Sequence, residues 1–216
     1  DMAIYIHDKN PASVTLGDQL KALPKTPGIC MFIDIVGSTA EKYQNGVEVW
    51  GKKLNNTFNF ISFLNNFPKH IVKGIGDEIM LYIPDEELKK HESLNSCLAM
   101  LEEIYATLDN IINFPLPDLF MKCKVAMHYC TEVYNITFLE NYNDYYGIDI
   151  DMTARLTKKA VTNRIVISET FFKKVVEDMA ASGRGYTPEV ISKISDKYIE
   201  DFKGVPEPVE LRVIDV

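Results

Sequence analysis

The sequence predicts an α+β domain built around a mixed or antiparallel sheet. Segments with the period of a strand alternate with segments with the period of a helix, and several strand segments follow one another as neighbouring hairpins. Hydrophobic residues make up 46% of the 216 residues, which is enough for one sizeable core. We therefore expect an N-terminal arm over residues 1–28 and a single domain over residues 29–216.

The predicted domain begins with a buried strand. Residues 29–36 are almost continuously apolar, a pattern typical of a central strand. A long helix should follow, with Ser38 or Thr39 as its N-cap and Pro68 after its end, because apolar residues recur at steps of three and four. The predicted apolar face consists of Tyr43, Val47, Trp50, Leu54, Phe58, Ile61 and Leu64.

A hairpin is predicted next, and the rest of the chain continues the alternation. Gly76 and Asp77 separate two β-rich runs, residues 69–75 and 78–83, which is the usual pattern of a two-residue turn. The further predicted helices cover residues 16–23, 86–111, 148–160 and 169–181. The further predicted strands cover residues 120–128, 131–139, 164–168, 198–203 and 208–215.

Composition and charge exclude several classes of partner. The net charge of −8 argues against a nucleic-acid backbone or an anionic membrane as the main partner. No apolar run approaches the roughly 18 residues of a membrane span, and the first residues lack the pattern of a secretory signal. The four cysteines form no CxxC pair, so we expect buried, reduced thiols in a cytoplasmic protein.

Two carboxylates stand where a charge needs a partner. Asp34 lies inside the first apolar strand, where an unpaired carboxylate is costly, and Asp77 lies at the hairpin turn. If the hairpin lies beside that strand, both side chains reach one end of the sheet. Mg²⁺ favours such oxygen ligands, and two ions can hold the attacking and leaving oxygens of a displacement at phosphorus. His128, in contrast, is expected to be a strand-end residue and not a metal ligand.

The segment after Asp34 has the pattern of a phosphate-binding turn. Residues 35–39 lead directly into the predicted helix, whose first N–H groups are free to bind a phosphate chain. Gly37 permits close approach of the phosphate, and Ser38 and Thr39 follow at the helix start. These three residues are therefore candidate substrate-binding residues.

Four sequence blocks together resemble one enzyme family. They are FIDIVGST (32–39), KGIGDEIML (73–81), DYYGIDIDMTARL (144–156) and FKGVPEPVELRVI (202–214). In this order they resemble the class III nucleotide cyclases, the adenylyl and guanylyl cyclases, including the bacterial pyrimidine cyclases of antiphage signalling. The resemblance covers residues 29–214 and implies a ferredoxin-like βαββαβ core. It also implies that the protein converts a nucleoside triphosphate to a 3′,5′-cyclic nucleotide and pyrophosphate.

The resemblance implies a metal site shared between two chains. Asp34, Asp77 and the backbone of Ile35 would hold two Mg²⁺ or Mn²⁺ ions. In a homodimer, the second chain would complete each active site with its base-binding residues and its catalytic arginine.

The third block supplies the remaining implied roles. Lys73 and Asp144 would contact the base, and Arg155 would stabilise the charge that develops at phosphorus in the transition state. Asp151 stands where most members of the family carry the asparagine that orients the ribose. A carboxylate accepts hydrogen bonds but cannot donate them, so Asp151 indicates either reduced activity or an unusual substrate.

The polarity of the base-binding pair leaves two bases open. A donating Lys73 and an accepting Asp144 match the edge of adenine and also that of cytosine, whereas guanine and uracil present the reverse. ATP is the family default, and a pyrimidine triphosphate, CTP or UTP, is expected if the chain is an antiphage pyrimidine cyclase. Tyr142, Tyr145 and Tyr146 flank Asp144 and either anchor the loop or narrow the base pocket.

Two other classes of protein share part of this pattern. A nucleotide-binding regulatory module derived from a cyclase would retain most of these residues, and Asp151 is the residue that favours it. A diguanylate cyclase also has a Gly-Asp-Glu hairpin. That family expects a paired glycine before the aspartate, whereas this chain has Ile75 and a single Gly76.

Overall fold

The computed structural model describes residues 2–10, 14–65 and 68–216, and these form nine strands and seven α-helices. The strands are β1 (Ile4–Tyr5), β2 (Gly28–Val36), β3 (Ile71–Ile75), β4 (Glu78–Pro84), β5 (Lys122–Cys130), β6 (Ile136–Thr137), β7 (Arg164–Ser168), β8 (Tyr198–Glu200) and β9 (Val209–Asp215). The helices are α1 (Val14–Lys21), α2 (Ser38–Asn65), α3 (Asp85–Leu88), α4 (Cys97–Ile112), α5 (Ile148–Thr157), α6 (Glu169–Ala181) and α7 (Glu189–Lys193).

A seven-stranded mixed sheet forms the centre of the molecule, in the spatial order β3-β4-β2-β5-β7-β9-β8. Strands β5 and β7 pair in parallel, and the other neighbours pair antiparallel. The first four of these strands, with α2 and α4 as crossovers, form a ferredoxin-like βαββαβ unit. The predicted fold class is therefore confirmed.

Strand β2 is central because both of its faces are covered. Ile29, Met31 and Ile33 face the main core, to which α2, α4 and α6 contribute their apolar sides. Cys30 and Phe32 face the opposite side, where α5 and the segment before it close a second, smaller core. This double burial explains the unbroken apolar run in the sequence.

Helix α2 differs from its prediction because it breaks at Gly46, where φ is +79°. The predicted apolar face is exposed on both sides of the break, where Tyr43 is 88% and Val47 is 69% exposed. It reaches the core further along the helix, where Trp50, Leu54, Phe58 and Ile61 pack against the core. The side chain of Leu64, the last predicted residue of this face, lies outside the described part of the chain.

The predicted helix over 86–111 is two helices in the structure. Helix α3 ends at Leu88, and α4 begins afresh at Cys97. The hydroxyl of Ser96 accepts a hydrogen bond from the backbone N–H of Ala99, which is a standard N-cap. The cap defines a new helix start inside the predicted range.

The predicted strand over 131–139 does not pair with β5. Strand β5 already has β2 on one side and β7 on the other, so neither edge is free. The short β6 pairs instead with β1, in parallel, as a separate two-stranded sheet. A further difference is the short helix α7, in a part of the chain for which the sequence predicts neither a helix nor a strand.

Two further observations bear on the composition. All four cysteines are free thiols and buried, as expected. No helix in the described ranges is both long and apolar enough to cross a bilayer.

Candidate functional site

Asp34 lies near the C-terminal end of β2, between two charged neighbours. In the sheet register it is opposite Glu78 of β4 on one side and Lys124 of β5 on the other. The Nζ atom of Lys124 is 3.0 Å from Oδ2 of Asp34. The carboxylate within the apolar strand therefore has a cationic partner, as its burial requires.

The hairpin turn brings Asp77 beside this carboxylate. Gly76 adopts φ +67° in the two-residue turn between β3 and β4, a conformation that glycine adopts easily. The carbonyl of Asp77 accepts a hydrogen bond from the backbone N–H of Ile35 at 3.4 Å. The structure thus brings Asp34, Ile35 and Asp77 together at one end of the sheet.

Glu78 is a third carboxylate at this end of the sheet, and it was not predicted from the sequence as a site residue. Burial raises the pKa of Glu78 to about 7, and the negative charges of Asp34 and Asp77 act in the same direction, whereas Lys124 opposes them. Such crowding of carboxylates is typical of a site that a cation neutralises. The oxygen donors match the preference of Mg²⁺ and Mn²⁺, so the residues present fit a divalent-metal site.

The predicted phosphate-binding turn joins β2 directly to α2. Gly37 adopts φ +76° between the two elements, and α2 begins at Ser38. The hydroxyl of Ser38 is buried and accepts a hydrogen bond from Nε1 of Trp50 at 2.8 Å, whereas Thr39 is exposed. The hydroxyl of Ser38 therefore holds Trp50 against the start of α2.

The two predicted base-binding residues form an ion pair. Lys73 Nζ lies 2.7 Å from Oδ2 and 3.0 Å from Oδ1 of Asp144, although 71 residues separate them in the chain. Oδ1 of Asp144 also accepts the backbone N–H of Tyr145, and its carbonyl accepts the side-chain amide of Asn135. Asp144 is thus held in place by its surroundings as well as by Lys73.

The three tyrosines near Asp144 have different environments. Tyr145 is buried and stacks on Tyr82 with a centroid distance of 4.3 Å, so it anchors the loop. Tyr146 borders Lys73, whose Nζ lies 5.5 Å from the ring centroid. Tyr142 is 64% exposed.

Helix α5 carries Asp151 and Arg155 four residues apart, and hence on the same face. Gly147 precedes the helix and packs so closely that a Cβ atom there would lie 2.0 Å from the carbonyl oxygen of Glu132. Asp151 is exposed. The guanidinium of Arg155 donates to the carbonyl of Lys203, which lies in the loop between β8 and β9.

The single chain therefore groups the predicted site residues into three clusters. The first contains the carboxylates Asp34 and Asp77, with Glu78 and Lys124 around them. The second is the ion pair of Lys73 and Asp144, and the third is the α5 face with Asp151 and Arg155. Glu78 and Lys124 could not be identified from sequence, because their place beside Asp34 depends on strand register.

The fold is that of class III nucleotide cyclase catalytic domains. The adenylyl cyclase CyaB from P. aeruginosa is similar with a TM-score of 0.62 and 18% identity, covering 89% of this chain and 95% of that chain. An adenylate cyclase from Trypanosoma brucei is similar with a TM-score of 0.65 and 14% sequence identity. The match covers 88% of this chain and 89% of that chain. A guanylyl cyclase domain from Blastocladiella emersonii, in a non-canonical dimer, is similar with a TM-score of 0.61 and 12% sequence identity. The match covers 88% of this chain and 96% of that chain.

No protein-family model and no curated protein matches this sequence.

Proposed function

We propose that this protein is a nucleotide cyclase. The 3′-hydroxyl of a nucleoside triphosphate attacks its own α-phosphate, a new phosphodiester bond forms, and pyrophosphate leaves. The proposal rests above all on the convergence of Asp34 and Asp77 at the end of β2, directly before the turn into α2. The same fold in adenylyl and guanylyl cyclase domains supports it.

The carboxylate cluster is the part of the chain that would hold Mg²⁺ or Mn²⁺. Asp34, Asp77 and the backbone of Ile35 are the proposed ligands of two ions. Bound there, the ions would lower the pKa of the attacking hydroxyl and neutralise charge on the phosphate oxygens. Lys124 compensates the charge of Asp34 in the single chain. The N–H groups of residues 37–39 add donors for the phosphate chain of the substrate.

The ion pair of Lys73 and Asp144 is the proposed reader of the base. Lys73 donates and Asp144 accepts, which fits ATP or CTP, whereas UTP would require other contacts. The Lys73 ammonium and the Asp144 carboxylate lie 2.7 Å apart, so a bound base must separate them. The base therefore has to form a hydrogen bond with each of the two groups to replace the contact that they lose. A pyrimidine substrate would place the protein in antiphage signalling, as the resemblance in sequence suggests.

We propose a homodimer, because one chain holds the proposed residues in three clusters. Arg155 and Asp151 of one chain would then act on a triphosphate held by the carboxylates of the other. Several apolar side chains within ten residues of Lys73 or Asp144 in the sequence are exposed, and a second chain would cover them. They are Ile75, Phe138, Leu139, Tyr142 and Ile148. The structurally similar domain from Blastocladiella emersonii forms a non-canonical dimer, so it supports association of two chains and not a particular arrangement of them.

The alternative is a cyclase-derived regulatory module that binds nucleotide without turnover. Asp151 favours it, because an exposed carboxylate on the face of Arg155 weakens the local positive potential. A diguanylate cyclase is less well supported, since Asp77 follows a single glycine. The buried, free thiols are consistent with a cytoplasmic location.

A product assay separates these possibilities. The protein is incubated with each of ATP, CTP, GTP and UTP in the presence of Mn²⁺, and products are identified by mass spectrometry. We expect a 3′,5′-cyclic product from ATP or CTP. Absence of product from all four triphosphates, with retained nucleotide binding, would support the regulatory module.

The metal ligands are tested in the same assay. Asp77→Ala should lower turnover by about 100-fold or more, because the developing charge at phosphorus loses its compensation. Asp118→Ala, which removes an exposed carboxylate outside the three clusters, is the matched control and should leave turnover unchanged. Unchanged turnover in Asp77→Ala would contradict the assignment of the metal ligands.

A further inference from the structure

A second group of potential metal ligands lies under α5, on the opposite sheet face from the long helices. It consists of His128 and Cys130 of β5 and Asp149 of α5, whose ligand atoms all lie within 4.8 Å of one another. Cys130 is fully buried and His128 is 6% exposed. This group is distinct from the carboxylate cluster, because His128 lies four residues from Lys124 along the strand.

The imidazole of His128 is oriented as a ligand requires. Its Nδ1 is hydrogen-bonded to the hydroxyl of Ser168 at 2.7 Å, and that hydroxyl is also 2.8 Å from Oγ1 of Thr170. These contacts fix the ring and leave Nε2 directed at Asp149. An outer hydrogen bond of this kind is the usual support of a metal-bound histidine.

The carboxylate of Asp149 is held in the same way. Oδ2 accepts the backbone N–H groups of Thr131 and Glu132 at 2.7 and 2.8 Å, which leaves Oδ1 facing His128. Burial opposes ionisation, but hydrogen bonds from His128 and the backbone lower the pKa of Asp149 to about 2. The carboxylate is therefore charged at neutral pH.

The spacing between the two ligand atoms matches shared coordination. Nε2 of His128 and Oδ1 of Asp149 are 3.2 Å apart. At this distance the two atoms form a hydrogen bond in the chain without an ion. Two ligands that each lie about 2.0 Å from a tetrahedral zinc ion are about 3.3 Å apart.

Cys30 lies on the neighbouring strand beside this group. It is directly opposite His128 in the register of β2 and β5, so both side chains lie on one sheet face. Its sulfur is not one of the ligand atoms that lie within 4.8 Å of one another, so Cys30 is not assigned as a ligand.

We propose that His128, Cys130 and Asp149 form a zinc site. Nitrogen and sulfur donors favour Zn²⁺ over Mg²⁺. The thiol of Cys130 loses its proton to solvent when it binds the ion, and the resulting thiolate with the carboxylate of Asp149 balances the charge of the ion. The site would link α5 to β5 and so stabilise the helix that carries Arg155. It does not depend on the proposed catalytic activity.

A nucleophilic Ser-His-Asp site is the competing interpretation of the same contacts. Ser168 is 3% exposed, and its hydroxyl caps α6 by accepting the backbone N–H of Phe171. A substrate cannot reach a buried capping hydroxyl without unfolding the helix start. The geometry therefore favours a structural centre over hydrolytic chemistry.

Metal analysis of the full chain tests the proposal. The protein is produced with zinc in the medium, purified without chelator, and its zinc content is measured by inductively coupled plasma mass spectrometry. We expect about one zinc ion per chain in the wild type, and the same in Asp77→Ala, which removes a ligand of the carboxylate cluster. Cys130→Ser should bind zinc at least about 10-fold more weakly in a chelator competition. Cys123→Ser, another buried thiol of β5, is the matched control and should retain the ion.

Cobalt substitution of the wild type gives an answer that needs no variant. A protein refolded with Co²⁺ should show the near-ultraviolet charge-transfer band of a cobalt–thiolate bond. A folded, zinc-free wild type that takes up no ion and shows no such band would overturn the proposal. Zinc retained at wild-type affinity in Cys130→Ser would overturn it as well.

Discussion

Lys73 and Asp144, the proposed base-binding residues, bind each other in the single chain. Each is the partner of the other in the single chain, at 2.7 Å, and Asp144 is the more buried of the two, with 14% of its side chain exposed. The backbone and Asn135 hold Asp144 in place, so the mobile member of the pair is Lys73. We infer that substrate entry begins with displacement of the lysine ammonium.

The carboxylate of Asp144 can be replaced by an uncharged amide of nearly the same shape. Asp144→Asn should raise KM for the preferred triphosphate by roughly 10- to 100-fold, because a hydrogen bond to a charged group is lost. The value of kcat should fall less, since the proposed contact of Asp144 is with the base and not with the phosphate. Steady-state kinetics with all four triphosphates measures both effects. An equal fall of kcat/KM for every base would contradict a role in base recognition.

His70 is a residue whose titration affects stability at mildly acidic pH. Its Nε2 lies 2.8 Å from that of His91, and burial, with the nearby charge of His91, lowers the pKa of His70 to about 4. The unfolded chain binds the proton near pH 6.5, so it takes up more protons than the folded chain as pH falls from 6.5 towards 4. Stability is therefore lost on acidification across this range.

The loss of stability on acidification can be measured by urea unfolding. Between pH 7.5 and pH 5, the protonation of His70 should cost about 2 kcal/mol in the free energy of unfolding. His70→Gln should lack this component, whereas His7→Gln, at an exposed position, should retain it. An identical pH dependence in the wild type and His70→Gln would show that His70 does not control it.

Helix α5 illustrates at the element scale how one residue sets the position of a functional surface. The close contact between Gly147 and the carbonyl of Glu132 allows the helix to start beside the end of β5. The carboxylate of Asp149 then ties the first turn to residues 131 and 132. These contacts therefore set the positions of Asp151 and Arg155, which lie on this helix.

A methyl group at position 147 should displace the start of α5. Gly147→Ala places Cβ 2.0 Å from a backbone oxygen and should reduce the free energy of unfolding by roughly 2–4 kcal/mol. Gly185→Ala, where nothing lies within 4 Å, should change stability little. Thermal and urea denaturation compare the two. Equal stability of both variants would mean that the backbone shifts to admit the methyl group.

The elements were predictable where the signal is local. Strand β7 and helix α6 have the predicted bounds, because Ser168 ends one apolar run and caps the next helix. The break at Gly46 and the new helix start at Ser96 were missed, since the apolar period continues across both. The pairing of β6 with β1 was also missed, because strand partners are set by the whole sheet.

At the scale of the whole molecule, the three clusters of proposed site residues predict shared active sites in a dimer. Equal amounts of Asp77→Ala and Arg155→Ala, each inactive alone, should regain about a quarter of wild-type activity when mixed. Half of the dimers are then mixed, and one of their two sites is intact. Activity measured after exchange of subunits tests this. No recovery, with dimer exchange shown by a tagged chain, would exclude sites shared in this way.

The sequence by itself determined the central strand, the hairpin and the two carboxylates, because apolar periodicity and turn chemistry act over a few neighbouring residues. Only the tertiary structure decided that Glu78 and Lys124 flank Asp34, that Lys73 pairs with Asp144, and that the hydroxyl of Ser38 faces Trp50. These contacts join residues distant in the chain. They depend on strand register and on how helices pack, since a shift of one residue in a strand turns every side chain to the opposite face.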